Sequence, residues 1–160
     1  MAKTILVLGA GTGGIITAHE LIKGLPTTER KNVRIVLFEK EEKNVFAPSL
    51  LWLMVGLRKS SQVFQPTNKL AKKNIELVLG TIELVDPKAK TVKVNEKEYK
   101  GDYLVISLGA EQAAEHNLGN SGFDFYTLTG VEDFYKKLKE FQGGKIAVLV
   151  PSLPFKCPAA

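Results

Sequence analysis

Six residues, Gly9-Ala10-Gly11-Thr12-Gly13-Gly14, constrain this chain more than any other stretch. They directly follow an apolar β-type run at residues 4–8. They open a segment, from about Gly13 to Lys23, in which Ile15, Ala18 and Ile22 recur at helical spacing. Gly9, Gly11 and Gly14 satisfy the pattern GxGxxG. Glycine-rich turns are common, and a purely structural turn is the plain alternative, but between a strand and a helix the pattern is the fingerprint of a dinucleotide-binding turn. Gly9 then allows the tight turn, Gly11 lets backbone N–H groups approach a pyrophosphate, and Gly14 lets helix and strand pack closely. The helix N-terminus adds partial positive charge for the anion. Gly24 and Pro26 stop the helix, and residues 33–38 read as a second buried strand closed by Glu39. That carboxylate, 25 residues beyond Gly14, is placed to accept hydrogen bonds from a ribose diol.

Beyond this unit the chain alternates β-type and helical stretches without repeats or low-complexity segments, which predicts a parallel α/β sheet. Runs at 75–79, 81–85 and 91–94 are separated by Gly80, Asp86-Pro87 and Asn95-Glu96, and read as a small β-meander inserted in the α/β unit. Residues 103–108 read as another buried strand, ending at Gly109. After a linker at 111–122, Thr129, Val131, Glu132, Phe134, Tyr135, Leu138 and Phe141 predict an amphipathic helix with one buried face, and Thr129-x-x-Glu132 resembles a capping box. Gly143-Gly144 ends it. A last strand is expected at 145–150, before Pro151, Pro154 and Pro158. Residues 1–112 are accordingly assigned to one domain. Residues 113–160 are assigned to a linker, a helix and the opening of a second domain whose remainder lies elsewhere.

At 160 residues, with 44% hydrophobic and 24% charged, the chain has the make-up of a packed domain, not of a disordered tail or a fibre. No stretch nears the roughly 20 apolar residues of a membrane-spanning helix. The run at 5–8 is too short for a signal-peptide core, so it is expected to be folded structure at the true start of the chain. The net charge of +5 is uneven: residues 1–80 carry 12 Lys/Arg against 6 Asp/Glu, and residues 81–160 carry 10 against 11. A basic first half suits an anionic ligand, but Lys59, Lys69, Lys72 and Lys73 are too thinly spread for a nucleic-acid stripe, so no nucleic-acid partner is expected. No metal site is read, since His19 and His116 are expected to be surface or capping histidines. Cys157, the single cysteine, cannot form an internal disulfide.

NAD and FAD use the same glycine turn, so residues further along must decide between them. A meander followed by Val105-Ile106-Ser107-Leu108-Gly109 resembles the FAD domain of the two-dinucleotide flavoprotein oxidoreductases, where apolar-apolar-Ala-Thr-Gly follows the meander. Here Ser-Leu replaces Ala-Thr, which keeps the glycine and a backbone contact but loses the threonine hydroxyl. Asn44-Val45-Phe46-Ala47-Pro48-Ser49-Leu50-Leu51-Trp52, followed by Gly56-Leu57-Arg58, resembles the Phe-x-Pro-Ser…Trp…Gly-x-Arg pattern of sulfide:quinone oxidoreductases and flavocytochrome c sulfide dehydrogenases. Pro154-Phe155-Lys156-Cys157-Pro158-Ala159-Ala160 is similar to the active-site cysteine segment of the same group. Type II NADH dehydrogenases carry a related Phe-x-Pro-x-Leu stretch. The resemblance covers the whole chain, but only the amino-terminal portion of such a protein.

That resemblance implies a Rossmann-like FAD-binding domain with an inserted β-meander, plus the first strand of a second Rossmann-like domain. It places Gly9, Gly11 and Gly14 at the phosphates and Glu39 and Lys40 at the ribose and adenine edge. Thr81 and Ile82 fall where the meander passes the adenine, Gly109 at the Ala-Thr-Gly turn, and Pro48 and Ser49 are weaker cofactor contacts. Cys157 is the implied redox residue. Its neighbour Lys156 and a helix N-terminus at Pro158 both favour the thiolate, although a lone cysteine is by itself usually a small apolar filler. Sulfide would attack a disulfide or polysulfide bridge between Cys157 and a cysteine outside these residues, and two electrons would pass through FAD to a quinone.

The resemblance further implies peripheral attachment to the cell membrane through parts outside this chain, an otherwise cytoplasmic location, and compatibility with a homo-oligomer. Residues 44–58 lack the paired redox cysteines of glutathione-reductase-like enzymes, and no cysteine precedes Cys157 to attach a flavin covalently. Two other readings stand beside this one. The first is a type II NADH dehydrogenase-like flavoprotein, in which Cys157 is incidental; the second is a non-catalytic nucleotide-binding fragment.

Overall fold

The computed structural model describes residues 2–71, 74–110 and 122–149. In chain order it contains β1 (Lys3–Leu8), α1 (Thr12–Gly24), β2 (Val33–Glu39), β3 (Lys43–Val45), α2 (Leu50–Leu53), β4 (Phe64–Pro66), α3 (Thr67–Leu70), β5 (Ile75–Leu79), β6 (Ile82–Asp86), β7 (Thr91–Val94), β8 (Lys97–Lys100), β9 (Tyr103–Ile106) and α4 (Leu128–Glu140). The described residues of 2–44 and 65–110 form one unit, and those of 45–64 and 122–149 another.

In the first unit β5, β2, β1 and β9 lie in that order in one parallel sheet. Period-two alternation of apolar strands decides its layers. Ile5, Val7, Ile35, Leu37 and Ile75 bury one face with Ala10 and Ala18, the latter from α1. Leu6, Leu8, Val36 and Phe38 bury the other face against Val92 and Val94 of β7. The strands read as unbroken hydrophobic runs because each face has its own cover. Phe38, fully buried, meets Tyr99 of β8 edge to face with ring centroids 5.0 Å apart.

The expected parallel sheet and meander are both present, with different membership. Residues 75–79 join β2 in the parallel sheet instead of opening the meander, because Ile75 and Leu77 register with Ile35 and Leu37 and extend that apolar face. The meander consists of β6, β7 and β8, all antiparallel. Three of the four β8 residues are charged, which hid the strand from a hydrophobicity reading; Tyr99 supplies its packing. Residues 103–108 do not form a buried strand. Among the described residues β9 is a sheet edge, and Tyr103 is 57% and Ile106 56% exposed.

The β7–β8 turn carries Asn95 and Glu96 at φ of 50° and 62°, as a two-residue hairpin of the primed type demands. Asparagine tolerates that conformation at less cost than glutamate does. Glu96→Gly keeps the backbone bond from residue 96 to the Glu83 carboxylate. It is expected to raise the melting temperature by about 2–4 °C, read by calorimetry.

At the opposite end of the strands Asp102 ties β9 to β1. Its carboxylate accepts from Lys3 Nζ at 2.9 Å and from the Thr4 N–H at 2.8 Å, and its own N–H donates to the Thr4 carbonyl. The Lys3 hydrogen bond, then the Thr4 N–H, hold the Asp102 carboxyl below the usual carboxylate range, and the same bond raises the Lys3 ammonium above the usual lysine value. Lowering the folded pKa of Asp102 gives stability that is present above its unfolded value and is lost as pH falls through the folded one. The Lys3 contribution is complete below the unfolded lysine value and fades as pH rises through the raised folded value. Asp102→Asn is therefore expected to make stability less steep with pH on the acid side. Urea titrations at several acid pH values check this, and equal slopes in both proteins would refute it.

In the second unit Leu50 and Leu53 of α2, Val63, and Val131 of α4 make a small core. Phe134 meets Phe123 and Phe125 edge to face at 5.7 and 5.4 Å. The helix is capped two residues earlier than expected. Its cap is Thr127, whose hydroxyl accepts from the Gly130 N–H, and not Thr129. Only Val131 is fully buried on it, and Phe141 lies past its end, 42% exposed. Residues 145–149 form no strand, since none of the described strands pairs with them, and Ile146, Val148 and Leu149 are exposed.

Candidate functional site

The carboxyl ends of β1, β2 and β9 meet at the glycine turn, the end of an open α/β sheet where ligands bind. Gly9 has φ +92° and its N–H donates to the Phe38 carbonyl at 2.9 Å, so the turn is fastened to β2. Gly14 touches it from the helix side: a Cβ there would stand 1.8 Å from the Gly9 carbonyl oxygen. Gly11 differs. It caps α1 in an extended conformation, and a Cβ on it would meet no atom within 4 Å. The first turn of α1 contains no acidic residue and its cap offers no side-chain oxygen, so no side chain of the helix itself offsets its positive end. Open space over Gly11 beside these N–H groups fits a pyrophosphate.

Glu39 stands at the end of β2 as expected, but its carboxylate faces the turn. Oε2 accepts from the Ala10 N–H at 2.7 Å, and Oε1 from the N–H groups of Lys40 and Glu41 at 2.8 and 3.0 Å. Three of about four lone-pair positions are thus engaged, leaving room for one ribose hydroxyl. The Lys40 side chain is exposed at the same corner. The Gly80 N–H donates to the Glu39 carbonyl at 2.8 Å, which brings exposed Thr81 and half-buried Ile82 to this strand end. Gly109, at φ +75°, has open space around it three residues past β9.

Two residues not singled out from the sequence belong to the turn. The Ser107 carbonyl oxygen would lie 2.4 Å from a Cβ on Gly9, and its hydroxyl 2.6 Å from one on Gly13, so β9 closes over the turn at Ser107. Asn44 Nδ2 donates to the Ala10 carbonyl at 2.6 Å. Neither contact has a periodicity that would announce it.

Pro48 and Ser49 belong to the second unit, where Ser49 is 2% exposed and its hydroxyl accepts from Arg58 Nη1 at 2.8 Å. That bond gives the serine and arginine of the 44–58 pattern a role within their own loop. His19 pairs with the Leu70 carbonyl at 2.8 Å, while His116 and Cys157 lie outside the described residues. A cleft of about 440 Å³ lies at the other end of the first unit's sheet, between Arg30, Arg34, Asn74 and Glu76. Arg34 grips Glu76 there through two bonds of 2.9 and 3.0 Å, so that end is not the counterpart of the helix-facing turn.

The family model for pyridine nucleotide-disulphide oxidoreductases matches residues 3–149. The chain belongs to this family. A member from Aquifex aeolicus, a sulfide-quinone reductase, is 32% identical over 158 residues, spanning 96% of this chain and 35% of that protein. Type II NADH:quinone oxidoreductase of Staphylococcus aureus is 33% identical over 108 residues, 67% of this chain and 26% of its own length. The crystal structure of the Aquifex aeolicus sulfide:quinone oxidoreductase superposes with a TM-score of 0.71 at 30% identity, covering 87% of this chain and 32% of that one. The chain therefore spans about a third or less of the proteins it matches. Its resemblance to the amino-terminal part of a sulfide:quinone oxidoreductase, drawn from residues 44–58 and 154–160, agrees with these matches.

Proposed function

We propose that this chain is the FAD-binding portion of a flavoprotein that oxidises sulfide to sulfur or polysulfide and delivers the electrons to a quinone. The observation that carries the cofactor half is the open space over Gly11, the residue that caps the positive end of α1. The sulfide half rests on the match to a sulfide-quinone reductase over 96% of the chain, against 67% for the NADH-oxidising relative. In this reading Gly11 and the first turn of α1 hold the pyrophosphate, Glu39 takes a ribose hydroxyl, and Gly109 offers backbone to the flavin side. FAD, when bound, supplies a two-electron acceptor. Sulfide would attack the disulfide between Cys157 and a cysteine elsewhere in the protein, leaving a persulfide on one cysteine and a thiolate on the other, and these would join as a trisulfide while two electrons pass to FAD. Pro48 and Ser49 shape the neighbouring loop. Peripheral attachment to a membrane belongs to the same proposal; among the described residues no helix is long and apolar enough to cross one.

An anaerobic absorbance spectrum of the intact protein tests this. Visible flavin bands should bleach on adding sulfide and return with a soluble quinone. Bands that ignore sulfide and bleach with NADH would replace this reading with the type II NADH dehydrogenase one, which the Staphylococcus aureus relative favours.

A further inference from the structure

The peptide between Ala10 and Gly11 carries the N–H of the residue that caps α1, where the space over Gly11 is open. Ala10 is fully buried, and glycines stand on both sides of it. A trans peptide is planar, with its carbonyl and N–H pointing in opposite directions. Whatever holds the Ala10 carbonyl therefore also aims the Gly11 N–H. That carbonyl is held by Asn44 Nδ2 at 2.6 Å, from β3. The preceding peptide is held separately, by Glu39 Oε2 on the Ala10 N–H at 2.7 Å. Two side chains, one from the end of β2 and one from β3, thus clamp two successive peptides of the turn, one by its donor and one by its acceptor.

We propose that Asn44 is a positioning residue of the phosphate-binding turn, fixing the Gly11 N–H in the orientation that meets an anionic diphosphate. The proposal deepens the FAD reading and rests on it. An asparagine suits the place because its amide donates to the carbonyl oxygen without bringing negative charge beside a phosphate. Aspartate of nearly the same volume has no proton to donate at neutral pH. It would repel the Ala10 carbonyl and favour the flipped peptide, whose oxygen faces the ligand.

The test is displacement of FAD from the intact protein by ADP and by adenosine, which share ribose and adenine but differ in the diphosphate. Asn44→Ala should weaken ADP about tenfold, the loss of one hydrogen bond, and Asn44→Asp by about a hundredfold. Adenosine should displace FAD from both variants no less readily than from the parent. Unchanged ADP affinity in both variants, or equal losses for ADP and adenosine, would overturn the assignment while leaving the FAD reading intact. If the alanine variant does not fold, the aspartate variant carries the comparison. Failure of both to fold would make Asn44 a determinant of the fold and overturn its positioning role. A parent protein that binds neither FAD nor ADP would overturn the FAD reading, and this assignment with it.

Discussion

Gly11→Ala should leave the unliganded protein folded, with a melting temperature within about 2 °C of the parent, and weaken FAD binding at least about a hundredfold. Both halves follow from one geometry. Gly11 lies at φ −69° and ψ −175°, which alanine adopts without strain, and an added methyl meets no protein atom within 4 Å. The space it enters is the space the pyrophosphate needs, so the cost falls wholly on the complex. Gly14→Ala provides the contrast. Its methyl would stand 1.8 Å from the Gly9 carbonyl oxygen, so α1 must shift from β1 and the unliganded protein itself is destabilised. Thermal melts with and without FAD, together with flavin titrations, separate the two. Equal FAD affinity in the Gly11→Ala protein would show that the cradle is not where the phosphates lie.

Cys157→Ser should retain FAD with parental affinity and lose sulfide-dependent flavin reduction by on the order of a thousandfold or more. A serine hydroxyl cannot form the disulfide that sulfide must open, and removing a covalent participant typically costs several powers of ten. Stopped-flow reduction by sulfide and by NADH, side by side, checks this. A variant as fast with sulfide as the parent would make Cys157 incidental and return the chain to the NADH-oxidising reading. The two substitutions act on different steps, so each should leave the other's readout alone.

The first β–α–β stretch was legible because its signals are local. A strand ending in glycine, a helix opening on glycine and a carboxylate closing β2 are adjacent in sequence, and all appear where expected. Residues 75–79 were legible as a strand but not as a member of the parallel sheet, since nothing local states which strand will bond to them. β8 was lost among its charges, and the exposure of β9 goes with its being an edge among the described residues, a property of topology and not of composition. At the site, the glycines could be named from spacing. The inward turn of Glu39 and the hold of Asn44 on Ala10 could not, because they join residues 29 and 34 positions apart in sequence. Thr127 displaced Thr129 as the cap because Asp124 accepts from the Tyr126 and Thr127 N–H groups and sets the helix entry earlier.

The sheet of the first unit is apolar on both faces, so sliding β2 by one residue against β1 would expose no more hydrophobic surface than the native pairing does. Polarity cannot proofread such an error. Size can in part, since small Ala10 and Ala18 pack with one face while Phe38 needs the slot beside Tyr99 on the other. The bond from the Gly9 N–H to the Phe38 carbonyl supplies the missing check, because it forms only when Leu8 stands opposite Phe38. The atoms that shape a seat for an anion therefore also act as the index mark by which the two central strands find their alignment.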